Sequence, residues 1–138
     1  VPSTPFKKYC SYKCSEKFEQ WYYDNFNWDN TKTKVFKRDN FTCQNCNKKY
    51  PYKLSKSYPY IYKKNIIISS YLEIHHIIPR SMYKDLGYNL DSIDNKIKTI
   101  TEFLHNHNNL KTLCKECHKV KTKEYITSSI YKNRRYKK

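Results

Sequence analysis

The chain has 138 residues, of which 28 are Lys or Arg and 12 are Asp or Glu, giving a formal charge of +16. A charge this large indicates a polyanionic partner, and nucleic acid is the first candidate. No apolar run approaches the ~20 residues of a membrane span, so we expect no membrane partner. Only 38% of the residues are hydrophobic, which predicts a small core stabilised by cysteine-bound metal.

The start of the chain bears on where the protein works. Residues 1–5 lack the apolar segment of a secretory signal. This predicts an intracellular protein, whether cytoplasmic, nuclear, organellar or viral. Because the chain starts at Val1 and not at Met, we expect either a processed protein or a piece of a longer one.

Cys10 and Cys14 open an N-terminal segment that we assign to residues 1–34, and they supply half of a metal site. A Cys-x-x-Cys pair upstream of this chain would complete a second zinc site. Alternatively, His105 and His107 would complete it from across the fold. Two free thiols or a disulfide are the simpler interpretations.

Residues 15–28 predict an amphipathic helix with Ser15 as its N-cap. We expect its aromatic face to pack on the domain, with stacking on nucleic-acid bases as the alternative. A second short helix is predicted over residues 35–39. The aromatic residues of the first helix are Phe18, Trp21, Tyr22 and Phe26.

Cys43 and Cys46 have the spacing of a zinc knuckle. The residue after the second cysteine often needs a left-handed backbone, and Asn47 is the best choice there other than Gly. Residues 48–65, rich in Lys and Tyr, predict a loop or irregular hairpin. It would suit phosphate contacts and base stacking, or it is merely a solvated insertion. Residues 66–78 predict a strand because β-branched side chains dominate them.

Residues 80–89, which include the single glycine, predict a loop. Asp91 or Ser92 would then cap a helix that ends within residues 106–109. Its apolar face would carry Ile93, Ile97, Ile100, Phe103 and Leu104.

The last third of the chain predicts a strand over residues 110–113 and a helix over residues 115–126. We expect residues 127–138 to form a basic tail that is mobile when unbound. Arg134 and Arg135 in this tail are candidate phosphate contacts.

The pair Cys43 and Cys46 and the pair Cys114 and Cys117 share the same two-residue spacing. Doubled Cys-x-x-Cys motifs strongly indicate a tetrahedral structural Zn²⁺ site. Two disulfides would also use four cysteines, but an intracellular protein disfavours them.

A second group consists of His75, His76, Asn109 and His118. Each alone has an ordinary interpretation, since a lone His is usually a satisfied core or surface residue. Neighbours on a strand point to opposite faces. At a strand end, therefore, one of the two adjacent histidines could bind metal while the other meets a water.

The chain resembles an HNH endonuclease of the four-cysteine type in five segments, which are residues 35–46, 73–79, 109–110, 113–118 and 121–122. The resemblance covers roughly residues 35–123. It implies an α+β, treble-clef-like ββα-metal core held by a four-cysteine zinc site, with added helices, and a nuclease domain over residues 35–126. Cys10 and Cys14 also resemble the second half of an extra knuckle that precedes some HNH domains.

The resemblance assigns roles to four residues. It implies that His76 is the general base, that His75 and His118 bind the catalytic metal, and that Asn109 holds the loop behind the base. The implied catalytic ion is Mg²⁺ or another divalent cation, and imidazole ligands also tolerate Mn²⁺, Ni²⁺ or Zn²⁺. The chain departs from the pattern in an insertion over about residues 91–107 and in Asn47, where Gly is usual.

The expected function is metal-dependent hydrolysis of DNA, and the expected binding partner is DNA, with RNA as the alternative partner. Arg80 and Lys121 are further candidate phosphate contacts. The competing interpretation is an HNH-like zinc module that binds DNA or RNA inside a larger assembly without cutting. A purely structural zinc protein would leave the +16 charge unexplained.

Overall fold

The computed structural model describes residues 10–56 and 65–135. Within these ranges the chain has five α-helices and four short strands in two antiparallel sheets. This mixture of helices and small sheets confirms the α+β class at that level. None of the described helices is long and apolar enough to cross a bilayer. The helices are α1 (Tyr12–Phe26), α2 (Trp28–Arg38), α3 (Ile93–Thr99), α4 (Lys115–Thr127) and α5 (Ser129–Arg135), and the strands are β1 (Lys53–Lys56), β2 (Asn65–Ile68), β3 (Leu72–His76) and β4 (Leu110–Cys114).

Strands β3 and β4 form the centre of the fold. They pair antiparallel, with His76 opposite Leu110 at one end and Leu72 opposite Cys114 at the other. Helix α4 follows β4 directly and packs on both strands. The core lies where this pair meets α2, and its buried members are Val35, Phe36, Cys43, Ile67, Leu72, Ile74, Leu110, Leu113 and Cys114.

A charged pair at the end of α2 connects that helix to β4. The Asp39 side chain is only 7% exposed, and its Oδ2 accepts a 2.8 Å hydrogen bond from the Thr112 amide. Arg38 forms an ion pair with Asp39 at 2.7 Å and donates to the carbonyls of His107 and Leu110. Burial raises the pKa of the Asp39 carboxyl, but Arg38 and the Thr112 amide lower it further, so the net shift is downward.

Asp39→Ala is expected to reduce the free energy of unfolding by about 1–3 kcal/mol, because a buried amide and a guanidinium lose their charged acceptor. Urea unfolding of zinc-saturated protein at neutral pH measures this change. Glu124→Ala is the control, since Glu124 forms an exposed ion pair with Lys121 worth about 0–1 kcal/mol. Equal stability losses in the two variants would contradict the role given to Asp39.

The predicted cap and apolar face of the first helix were both wrong. Ser11, not Ser15, caps α1, and its side chain accepts from the Cys14 amide. The face that packs inward carries Tyr23, which is 3% exposed. The predicted aromatic face therefore lies at the surface, with Phe18, Trp21 and Tyr22 exposed. The rings of Trp21 and Tyr22 each contact both Phe18 and Phe26.

The single strand predicted over residues 66–78 is two strands in different sheets. The Ser69 hydroxyl accepts hydrogen bonds from the amides of Tyr71 and Leu72, which turns the chain between β2 and β3. Strand β2 pairs antiparallel with β1 as a hairpin. Of the loop or irregular hairpin predicted over residues 48–65, residues 57–64 lie outside the described residues. Helix α2 is longer than the predicted segment over residues 35–39.

The central insertion is helical, as expected, but not uniformly so. Ser92 caps α3 by accepting from the Asn95 amide, which confirms one of the two predicted caps. The helix then widens into a π-helical segment, Ile100–Leu104. Of the predicted apolar face, Phe103 is buried, whereas Ile93 is 75% exposed.

The basic tail is helical over Ser129–Arg135, where a mobile arm was expected. The side chains of Arg134 and Arg135 and residues 136–138 lie outside the described part of the chain.

Candidate metal centre and histidine site

The four central cysteines converge at one point. Their sulfur atoms all lie within 4.8 Å of one another, and the sulfurs of Cys46 and Cys114 are 3.9 Å apart. None of the four forms a disulfide. This cluster can hold one structural metal ion such as zinc, as the doubled spacing predicted.

Local backbone geometry prepares the first knuckle for metal. The Asn47 amide donates to the Cys43 carbonyl at 2.9 Å, and Asn47 has the predicted left-handed backbone, with φ at +60°. Burial alone would raise the pKa of the Cys43 thiol, but neighbouring backbone amides, chiefly those of Cys46 and Cys114, lower it to about 6. The same amides would favour a thiolate ligand.

His75 and His118 meet on one face of the β3–β4 pair. Their ring centroids are 5.3 Å apart in an edge-to-face arrangement. Burial, followed by the nearby charge of His118, lowers the pKa of His75 to about 4. Both imidazoles are thus close enough to share a divalent ion, and His75 is neutral, as a metal ligand must be.

Glu73 is a member of this site that the sequence did not single out. The His118 Nδ1–H donates to the Glu73 carboxylate at 2.5 Å, which leaves Nε2 of His118 as the nitrogen able to bind metal. A carboxylate that orients a ligand histidine in this way is a common partner in metal sites. The available signal was strand alternation, because Glu73 lies two residues before His75 and on the same face.

His76 lies at the end of β3 and has different surroundings from His75. Its Nε2 is 3.0 Å from the Leu104 carbonyl, and its ring stacks on the Trp28 indole at 5.6 Å between centroids. Burial lowers its pKa. Because a carbonyl only accepts, Nε2 carries the proton, and the neutral ring keeps a free lone pair on Nδ1.

Asn109 forms hydrogen bonds with the loop that follows His76. Its side-chain oxygen accepts from the Ile78 amide at 2.7 Å, and its side-chain nitrogen donates to the Ile78 carbonyl at 3.1 Å. Its backbone carbonyl also accepts from the Ile77 amide at 2.8 Å. Three hydrogen bonds from one residue therefore fix the chain directly after the strand.

Cys10 and Cys14 remain a pair. Their sulfurs are 2.7 Å apart, but no third His, Cys, Asp or Glu ligand atom within the described residues joins them. His105 does not complete the pair, because its ring lies against Trp28. The structure therefore does not bear out completion of this site by His105 and His107.

Two of the four predicted phosphate-contacting residues, Arg80 and Lys121, have described side chains, and both lie near the histidines. Arg80 is exposed and lines a cavity of about 280 Å³ together with Trp28, His76, Leu104 and His105. Lys121 lies on α4 and forms an exposed ion pair with Glu124. Such pairs are weak enough for a phosphate to replace the carboxylate.

The cysteine cluster and the histidines are mechanically connected. Cys114 ends β4, and His118 follows Cys117 in the first turns of α4. A metal on the cysteines therefore fixes the helix that carries His118.

Comparisons with known proteins found no matching family model, curated protein or solved structure.

Proposed function

We propose that the chain is a metal-dependent HNH-type endonuclease that hydrolyses DNA phosphodiester bonds. The observation that carries the proposal is the separate placement of two adjacent histidines. His75 faces His118 on one side of the strand end, whereas His76 faces the Leu104 carbonyl. Phosphodiester hydrolysis needs both a metal-binding group and a proton acceptor, and this arrangement supplies one of each.

His76 is the general base in this proposal. With its proton on Nε2, the neutral ring can take a proton from water at Nδ1. The loop behind it is held by Asn109, whose two side-chain bonds to Ile78 keep the strand end from shifting.

His75 and Nε2 of His118 would hold the divalent cation, with Glu73 orienting His118. Mg²⁺ or another divalent ion bound there supplies charge neutralisation at the phosphate and at the departing 3′ oxygen. Both ligands belong to the β3–β4–α4 unit, whose strand, strand and helix order supports a ββα-metal core with structural zinc at the cysteines.

The net charge of +16 supports a nucleic-acid substrate. Arg80 lies beside His76, and Lys121 lies one turn beyond His118 on α4. We assign both to phosphate contacts near the cut. Arg134 and Arg135 stay candidate phosphate contacts from the sequence.

Incubation with supercoiled plasmid tests the proposal. Mg²⁺ or Mn²⁺ should produce nicked or linear DNA, and EDTA should stop the reaction. His76→Ala should bind the same DNA without cutting it. Binding without any cutting in the presence of Mg²⁺, Mn²⁺ or Ni²⁺ would reject the nuclease and favour a zinc module that only binds nucleic acid.

Glu73→Gln is expected to weaken divalent-ion affinity about 10–100-fold, because the amide no longer fixes the orientation and basicity of His118. Isothermal titration of zinc-loaded protein with Ni²⁺ or Mn²⁺ measures this affinity without any cleavage assay. Glu124→Gln is the matched control, since that carboxylate pairs with Lys121 on the same helix. Unchanged affinity in Glu73→Gln would remove Glu73 from the site.

A further inference from the structure

Two contacts to the His76 ring come from residues outside the β3–β4–α4 unit. Trp28 is the first residue of α2, and Leu104 is the last residue of the π-helical segment in the central insertion. The Trp28 indole lies nearly parallel to the His76 ring, with 15° between the planes. The Leu104 carbonyl lies 3.0 Å from Nε2 of the same ring.

Each contact is itself fixed by local structure. The Asn27 side chain accepts from the Asn30 amide and begins α2 directly at Trp28. His105 packs on the indole at 5.1 Å between centroids, so Trp28 contacts both histidines.

The wide helical turn explains why the Leu104 carbonyl is available. The His105 amide donates to the Ile100 carbonyl at 2.7 Å, five residues back. A carbonyl in the last turn of a helix has no partner within that helix. The Leu104 carbonyl is in this position and takes the His76 N–H instead.

The two contacts restrict two different properties of the His76 side chain, the orientation of its ring and its tautomer. The second torsion of His is broad, so an imidazole in open solvent samples many ring orientations. Stacking on a flat indole selects the plane of the ring. The carbonyl selects the nitrogen that carries the proton, and thereby leaves Nδ1 as the acceptor.

We propose that Trp28 and the Leu104 carbonyl together form a positioning clamp that fixes the orientation and tautomer of His76. This inference rests on the proposed nuclease function. It makes helix α2 and the insertion parts of the working site. Trp28 acts through His76 and touches neither metal nor scissile phosphate in this assignment.

Trp28→Ala should lower kcat at least about 10-fold while leaving KM for DNA nearly unchanged, since small misplacements of a reacting group are costly. Trp28→Phe should recover part of the rate, because a phenyl ring can still stack. Trp21→Ala is the matched control. Trp21 is the chain's other tryptophan and is exposed on α1, so this variant should cut at the normal rate.

Two further readouts separate positioning from a general loss of structure. With ¹⁵N-labelled histidine at pH 8, His76 should show a single Nε2–H tautomer in the intact protein. In Trp28→Ala it should show a mixture, because the unstacked ring can turn away from the Leu104 carbonyl. In a His76→Ala background, adding Trp28→Ala should not reduce the residual rate further.

A single His76 tautomer that persists in Trp28→Ala, or an equal rate loss in the His76→Ala background, would overturn the clamp. If the intact protein cuts no DNA, the proposed function fails. The tautomer spectrum still decides the geometry of the clamp in that case.

Discussion

Cys46→Ala is expected to leave the chain largely unfolded and without zinc. Structural zinc contributes roughly 10–16 kcal/mol of binding free energy in zinc-finger peptides, which is comparable to the whole stability of a typical domain, about 5–15 kcal/mol. Cys46 is exposed, whereas Cys43 and Cys114 are buried. Its replacement therefore leaves almost no cavity and reports on metal binding alone.

Circular dichroism melting and zinc content by atomic absorption measure the effect. Cys10→Ala is the matched control, because Cys10 is an exposed cysteine outside the cluster. That variant should keep its zinc and its melting temperature. Cys46→Ala protein with full zinc content and unchanged melting would show that the four cysteines do not hold a shared structural ion.

His76→Ala should reduce DNA cleavage about 10²–10⁴-fold, the usual contribution of a general base. DNA affinity and divalent-ion affinity should stay near those of the intact protein, because the metal ligands are His75 and His118. His118→Ala should instead weaken metal binding, so that extra metal partly restores its rate. His107→Ala is the control, since His107 is an exposed histidine in the central insertion.

Initial rates over a range of metal concentrations distinguish these phenotypes. If His75→Ala keeps its metal but loses cleavage, and His76→Ala cuts normally, the two roles are exchanged. If neither variant changes the rate, there is no nuclease site on this strand.

The pH dependence follows from the burial of His76. Only the neutral ring accepts a proton, so the rate should rise with pH through the pKa of His76. Burial lowers this pKa, so the rising limb should lie below the ordinary histidine value of about 6.5. A half-maximal rate above pH 7 would contradict the assignment of His76 as a buried base.

Features that depend on local spacing were predictable from the sequence. The two Cys-x-x-Cys pairs predicted a shared metal site, and their sulfurs do converge. Asn47 was expected to be left-handed because an amide side chain tolerates that backbone better than other residues do. Ser92 was one of two candidate caps because its hydroxyl can reach a helix amide.

Features that depend on tertiary contacts were not predictable. Helical periodicity identified an aromatic face on α1, but periodicity does not show which face another element covers. Tyr23 occupies the buried position, and Phe18 and Trp21 do not. The break between β2 and β3 depended on one serine hydroxyl, Ser69, which strand propensity ignores.

Contacts to the histidines from residues distant in the sequence could not be predicted either. Nothing in a single Trp or a single backbone carbonyl indicates that it will lie against His76. That proximity exists only once α2 and the insertion have packed around the strand end. Glu73 was nearer to being predictable, since strand alternation places it beside His75.

The separation of the two cysteine pairs has a consequence for synthesis of the protein. Cys46 and Cys114 lie 68 positions apart. A ribosome that adds about 5–20 residues per second therefore exposes the first pair roughly 3–14 s before the second. Once His76 has been added, β3 is complete but lacks β4, and throughout the interval an ion on Cys43 and Cys46 has only two of its four ligands. A zinc ion shared by the four cysteines could therefore fix helix α4 only after Cys117 emerges, and His118, the next residue, would reach β3 no earlier.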